Sequence, residues 1–501
     1  MSVDAATLSR LWADRCLGVL PARLRTQDAL TWLLVALGLA LRTFNYLRNP
    51  SVWHDEAALV LNVLGKGFAD LLGPLFYAEA APPLFLWAER AAVLLLGDST
   101  YALRLVPFLG SCVALVLFVP VARLLLRPAA VPWAVLLFAF NDHLLWHTSE
   151  AKPYSLDVLV ATALLALWCR AHSWSLERQL LLYAALAPAV VFLSYPGCFL
   201  LGGLLLTLLP ALQRARTRSG AWLAYAALVL SVGTAFLLLY LGPARAQRNA
   251  GMESCWVHAF PPWGGAWWAV PVWVVKSTLD ALCYCCAPAG NALAPIPLIG
   301  AVGLWRRGDR ATLVLLLAPA GLALVAAFLG GYPYAGARVL VYLTPAIVLL
   351  VAAGVPPALA WLQARSRLAA AALAVLVLAA PGTVGYNTVF PYGRADTAAA
   401  SHYVLARLRP GDTVKGSAWE DAYYFRHMRE QFIPEGEAVA PPPGRLWLVV
   451  TAATARGREE AMRDFAPAGW ECVRRREFYR TTVVLLRRPG GTETTSEGRR
   501  Q

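Results

Sequence analysis

Eleven long apolar runs decide what this chain can fold into. They fall near residues 28–47, 102–122, 131–148, 154–169, 180–195, 198–213, 221–241, 290–305, 311–330, 338–361 and 368–386. At about 1.5 Å per residue, a helix of about twenty such residues crosses the ~30 Å hydrocarbon layer of a bilayer. The 501 residues are 58% hydrophobic and 15% charged, whereas a soluble globular protein carries about a quarter charged residues. The pattern predicts a polytopic α-helical membrane protein of about eleven transmembrane helices.

The formal net charge of +14 raises the question of nucleic acid. Its distribution answers it. Arg123/Arg127, Arg170/Arg178, Arg214/Arg216/Arg218, Arg306/Arg307/Arg310 and Arg365/Arg367 sit between apolar runs. Such clusters follow the positive-inside rule of membrane topology and do not form a nucleic-acid surface. Residues 1–27, with Arg10, Arg15, Arg23 and Arg25, carry no secretory leader pattern and read as a cytoplasmic N-terminus before an uncleaved anchor.

If all eleven runs span, 48–100, 148–153, 242–288, 331–337 and the chain after 386 share the opposite face. In a bacterial inner membrane that face is periplasmic. Pro82–Gly97, with Glu89 and Arg90 inside it, is read as an interfacial helix, because counting it as a span would put Arg214, Arg216 and Arg218 outside. The 48–100 loop then has room for two or three interfacial helices over a site, and loops of that length are usually functional. A second outer segment, 242–288, holds Arg245, Arg248, Glu253, His258 and an amphipathic stretch Gly265–Ala287 that suits a lid or an aromatic belt.

After residue 386 the composition turns soluble. Residues 395–409 have helical periodicity; Thr413–Ala418, Arg445–Thr451, Trp470–Arg474 and Tyr479–Leu486 read as strands, with a helix near 456–465. The expected organisation is a transmembrane module 28–386, an outer α/β domain 387–489 and a disordered tail 490–501. No glycine-rich phosphate loop is present in the sequence, so no nucleotide chemistry is assigned. The nine cysteines lack zinc-site spacing; Cys255 with the Cys283, Cys285 and Cys286 cluster leaves a disulfide open, beside the simpler reading of small buried side chains.

Polar residues at membrane depth are costly, and here they gather on the outer face. Trp53-His54-Asp55-Glu56 follows the first run. His147 to Tyr154, with Glu150 and Lys152, joins the third and fourth; Tyr195 and Pro196 interrupt the fifth and sixth; Tyr332 to Arg338 joins the ninth and tenth. A carboxylate such as Asp55 suits proton abstraction from an acceptor. Arg338 and Lys152 suit phosphate capture, the arginine by a bidentate fork. Asp157 reads as a buried hydrogen-bonded residue and Arg104 as an interfacial anchor. A lipid-linked sugar phosphate fits such a set.

The order Trp53-His54-Asp55-Glu56-Ala57, Pro82-Pro83-Leu84, Ala102-Leu103-Arg104-Leu105, Ser149 to Tyr154 and Arg338 to Pro345 resembles the bacterial branch of one superfamily. It comprises dolichyl-phosphate-mannose protein mannosyltransferases and lipid A aminoarabinose transferases. The resemblance covers about residues 28–490 and implies an inverting glycosyltransferase of the C-type membrane fold, using a polyprenyl-phosphate sugar donor and an acceptor the sequence does not identify. It implies Asp55 as catalytic base with Glu56 beside it, Glu150 as a second acidic position near the acceptor or an optional divalent metal, and Arg338 near the donor phosphate. Lys152 stands where arginine is usual. His54, Tyr154 and Tyr195 remain candidate substrate contacts, though Ser194-Tyr195-Pro196 departs from the family's histidine-containing element. The alternative class is a transporter or flippase for a lipid-linked or polar solute; it would favour inverted repeats and midplane charges, and the sequence shows neither.

Overall fold

The computed structural model describes residues 22–489 except 216, 288–289, 392, 429 and 438–443. The 1–21 stretch with Arg10 and Arg15, the side chains of Arg23 and Arg25, Arg216 and the 490–501 tail lie outside the described residues. The chain forms two units: one from residues up to 48 and 66–390, the other from 49–65 and 391 onward.

Its larger helices, in chain order, are α1 (Ala22–Arg48), α2 (His54–Gly65), α3 (Pro83–Leu96), α4 (Thr100–Leu125), α5 (Val131–Ala139), α6 (Asp142–Thr148), α7 (Tyr154–Ala171), α8 (Leu176–Leu193) and α9 (Gly197–Arg214). There follow α10 (Ser219–Leu239), α11 (Ala269–Cys285), α12 (Pro295–Arg306), α13 (Arg310–Phe328), α14 (Thr344–Gln363) and α15 (Arg367–Val389). All but α2 belong to the helical unit. Among the described residues nine helices are long and apolar enough to cross a membrane, and the pair α5–α6 raises the number to as many as ten. The protein is a multi-pass membrane protein.

Two runs differ from the sequence reading. The 131–148 run is bent by 48° between α5 and α6. Asn141 makes the break self-sufficient, because its Oδ1 accepts the Leu144 N–H at 3.0 Å and caps the new helix. The 290–305 run yields only the twelve-residue α12, which starts at Pro295, where a proline's fixed φ suits a first helical turn. About 18 Å of helix is short of a bilayer core. Pro82–Gly97 gives the fourteen-residue α3, likewise short.

The core is continuous across α4, α5, α7–α10 and α14. Phe118 and Phe138 stack at 4.2 Å inside it. Around α14, Val348, Leu349, Val351, Ala352 and Val355 are all fully buried, as expected of a helix apolar on every side and enclosed by others. Helices α12 and α14 approach backbone to backbone: a Cβ on Gly300 would meet the Leu350 carbonyl oxygen, and one on Gly354 the Ile296 carbonyl. Small residues permit such close crossing where lipid supplies no hydrophobic drive between helices. Arg42, fully buried in α1, donates to Ser111 Oγ (2.9 Å), Ala139 O (3.1 Å) and Gly38 O (3.1 Å), so this charge ties α1 to α4 and α5.

The second unit holds α2 with α16 (Thr397–Leu405), α17 (Trp419–Tyr424) and α18 (Ala455–Phe465) around five strands: β1 (Thr413–Gly416), β2 (Phe432–Ile433), β3 (Arg445–Thr451), β4 (Glu471–Phe478) and β5 (Thr481–Arg487). The order is β2-β1-β3-β5-β4, with β1 parallel to both neighbours and β5 antiparallel to both of its own. Alternate residues of β3 and β5 feed two cores. Trp447, Val449, Val483 and Leu485 pack with Ala400 and Val404 of α16, while Leu446, Leu448, Val484 and Leu486 pack with Met462 of α18. Asn49–Gly65, which the sequence reading runs on with 66–100, groups with this unit.

We expect Gly300→Val to cost about 1–3 kcal/mol through overpacking, measured as a lower unfolding temperature in detergent. Gly233→Ala, where the added Cβ meets nothing within 4 Å, should leave that temperature unchanged or slightly raised. Equal behaviour of the two variants would refute the close-crossing account.

Candidate active site

In the helical unit the polar residues cluster where helices stop. Asn141 Nδ2 donates to the Cys285 carbonyl at 2.7 Å, fixing the α5–α6 break against the end of α11. The turn after α6 is buried from Ser149 to Pro153, and Ser155 Oγ donates to the His147 carbonyl at 2.9 Å, meeting a backbone group that the helix end exposes. His147 Nδ1 lies 2.6 Å from Glu150 Oε2 and Nε2 lies 2.7 Å from the Tyr284 hydroxyl. A phenol is protonated at neutral pH, so Tyr284 donates to Nε2, which assigns the proton on Nδ1 to the bond with Glu150. Glu150 is 0% and His147 3% exposed. The result is a carboxylate–imidazole–phenol chain in the order that elsewhere orients a reacting hydroxyl. The His143 ring stacks on Tyr284 at 3.9 Å.

Arg338 opens a 3₁₀ turn, Arg338–Leu343, ahead of α14. Its guanidinium carbon is 5.8 Å from the Tyr154 ring centre and 6.0 Å from that of Trp256, a cation–π cradle. Tyr154 is in turn 4.7 Å, ring to ring, from His147. Glu150, Tyr154 and Arg338 therefore join His147 in one cluster. Lys152 has a different partner: its ammonium pairs with Glu79, both side chains being buried. Tyr195 donates to Gln247 Oε1 at 2.5 Å and reaches the Ala81 carbonyl at 2.9 Å, while the Ala81 N–H also bonds Gln247 Oε1 at 3.0 Å. Burial, then the charge of Glu79, pushes the Tyr195 phenol up, keeping it a donor. Asp157 accepts from Ser194 Oγ at 2.6 Å, the buried hydrogen-bonded role its position predicted. Arg104, read as an interfacial anchor, is fully buried.

In the second unit Asp55 and Glu56 occupy the first turn of α2, where negative charge suits the helix dipole. Glu56 is buried, with Oε2 3.3 Å from Arg394 Nη1. Asp55 is half-buried. His54 stacks on Trp419 at 3.9 Å and holds Nδ1 3.3 Å from Glu420 Oε2. The bond to Glu420 raises its pKa, against the opposing effect of partial burial.

Among the described residues no group of three or more His, Cys, Asp or Glu side chains converges on a metal position. All eight described cysteines are free thiols, so no disulfide joins Cys255 to Cys283, Cys285 or Cys286. Sequence reasoning missed Glu79, Gln247, Tyr284, Arg394 and Glu420. Glu79 carried a usable signal, a carboxylate in the long first loop; Tyr284 carried none within its apolar surroundings.

No protein-family model and no curated protein matches the chain. Its structure nevertheless has the C-type membrane glycosyltransferase fold. It is similar to ArnT from Cupriavidus metallidurans in the apo state, with TM-score 0.52 and 14% identity, covering 91% of this chain and 98% of that one. It is similar also to the same protein bound to undecaprenyl phosphate, with TM-score 0.51, 14% identity and coverages of 90% and 97%. The Archaeoglobus fulgidus oligosaccharyltransferase in complex with Zn and sulfate aligns at TM-score 0.49 and 12% identity, over 86% of this chain and 69% of that one.

The raised His54 pKa sets a sign. Its contribution to stability is complete below the ordinary imidazole value of about 6.5 and is lost as pH rises through the raised folded value. We expect Glu420→Gln to remove that part of the pH dependence of unfolding temperature, an effect small for a half-exposed pair. An unchanged pH profile would refute the pairing.

Proposed function

We propose that this chain is an integral-membrane glycosyltransferase that moves a sugar from a polyprenyl-phosphate donor to a lipid, glycan or protein acceptor, with inversion, on the periplasmic face of the inner membrane. The N-terminus is cytoplasmic and the 387–489 domain periplasmic in this reading. The observation that carries it is the ArnT fold over nine-tenths of the chain, one of those ArnT structures being bound to undecaprenyl phosphate. The buried polar cluster around Glu150 and Arg338 supports it from the chain's own residues.

The assigned chemistry is a single displacement. Asp55 takes the proton of the acceptor hydroxyl or amine as that atom bonds to the anomeric carbon. The bond from the anomeric carbon to the phosphate oxygen breaks, and its electron pair leaves on the phosphate. The charge gained there is what a preorganised guanidinium such as Arg338 stabilises more in the transition state than in the ground state. Glu150, through His147, holds the Tyr284 hydroxyl in one orientation. Lys152, tied to Glu79, reaches a phosphate only by sharing its donors. Glu56 acts through the backbone of α2, its carboxylate being paired with Arg394.

The test is purified protein with radiolabelled undecaprenyl-phosphate hexoses and pentoses and a membrane-lipid and glycan extract as acceptor. Acceptor-dependent release of undecaprenyl phosphate is expected, and Asp55→Asn should reduce it by about 10²–10⁴-fold, the usual range for a general base. Movement of the intact labelled lipid across proteoliposomes without release would replace the enzyme reading by the transporter one. We further expect Arg338→Met to lower kcat more than Arg338→Lys, which keeps the charge but loses the fork; equal rates would remove Arg338 from the phosphate.

A further inference from the structure

The turn that carries Asp55 is held from a distance in sequence. Arg394 Nη1 lies 3.3 Å from the Ser51 carbonyl and 3.3 Å from Glu56 Oε2, so one guanidinium grips the backbone before Asp55 and the side chain after it. The Tyr424 hydroxyl accepts the Val52 N–H at 2.9 Å. Thr397 Oγ1 donates to the Val52 carbonyl at 3.4 Å. Ser51 Oγ donates to Asp396 Oδ1 at 3.4 Å and accepts the Ala398 N–H at 3.3 Å. His54 rests on the Trp419 ring. Every one of these contacts lies within the unit formed by 49–65 and 391–489. Residues 51, 52, 54 and 56 are thus each fixed by the C-terminal chain, and Asp55 sits inside the bracket.

We propose that Arg394 and Tyr424 are positioning residues for Asp55, and that the C-terminal α/β unit serves to set the geometry of that carboxylate. The inference rests on the reading of Asp55 as general base. The physical need is plain. The first turn of a helix lacks intrahelical partners for its N–H groups and frays, and residues 49–53 before α2 are irregular. A base must lie within hydrogen-bond reach of the proton it takes, and a misplacement of about 1 Å costs about 10²-fold in rate. Contacts from outside the turn can supply that precision. The buried Glu56–Arg394 pair does: its side chains are 1% and 6% exposed, and breaking a buried ion pair is strongly destabilising. The clamp also links the two ends of a long chain, since Arg394 and Glu56 are 338 residues apart.

The experiment uses full-length protein and the labelled undecaprenyl-phosphate assay. Tyr424→Phe deletes one hydroxyl; Arg394→Met deletes the clamp, and Arg394→Lys keeps its charge. We expect the first two to lower kcat by about tenfold or more with the donor KM changed by less than about twofold. Arg394→Lys should recover part of the loss. Should Arg394→Met fail to fold, judged by its unfolding temperature, Tyr424→Phe alone decides. Folded variants with wild-type kcat, or with a raised KM at unchanged kcat, would overturn the positioning role while an inactive Asp55→Asn still upheld the base. A fully active Asp55→Asn would remove both.

Discussion

A charge removed from water must meet its counter-group inside the protein, and the polar architecture of the helical unit follows from that requirement. The penalty for an isolated buried ion is several kcal/mol even after relaxation, so no charged residue in the bundle can be placed by helix geometry alone. Arg42 is admitted to α1 because Ser111 and the carbonyls at the end of α5 converge on it. Lys152 is admitted beside α7 because Glu79 comes to it from the loop before α3. Glu150 is admitted because an imidazole three residues earlier faces it at 2.6 Å. Each pairing fixes a relation between segments that apolar packing would leave loosely specified.

The same requirement explains why the candidate site lies at helix breaks. A broken helix exposes backbone N–H and C=O groups, which must be satisfied within the protein wherever water is absent. Asn141 caps the α5–α6 break and Ser155 meets the end of α6, with His147 and Glu150 in the stretch between them. Arg338 stands at a 3₁₀ turn entering α14. Tyr195 occupies the short interruption between α8 and α9, where Ser194 is bonded to Asp157 and Tyr195 to Gln247. Irregular backbone and functional polarity share one cause: both are affordable only where hydrogen-bonding partners have been assembled.

What the sequence disclosed follows this division. Apolar periodicity is local, so most of the runs and four of the five strands could be read directly; the fifth, Phe432–Ile433, is two residues long and has no period to detect. Strand ends were less legible. The pattern places Tyr479 in a strand, yet β4 and β5 pair from Phe478 and Thr481, leaving Tyr479 and Arg480 as the turn. The 290–305 run had span-like composition, but composition does not register that Pro295 starts the helix late. Asp157 is legible because its position one turn into α7 implies burial. Lys152 was assigned by type, and type does not reveal that a carboxylate 73 residues away takes the ammonium. Asn49–Gly65 joins the other unit through contacts to residues 394–424, and no pattern within 49–65 announces them.

That distinction also accounts for a shared fold at 14% identity with no family model matching. An apolar bundle tolerates wholesale substitution among residues of similar size so long as volume and patterning persist, so the helical scaffold can drift far. The breaks cannot drift as freely, because each depends on particular side chains meeting particular backbone groups. Even there the partners need not be the same residues. A helix turn can be held by any set of contacts that fixes its backbone, and in this chain Arg394 and Tyr424 hold the turn before and within α2. Chemistry constrains the reacting group and its geometry; the residues that supply the geometry are constrained only by the space around it, which is why they are the last to be legible from sequence.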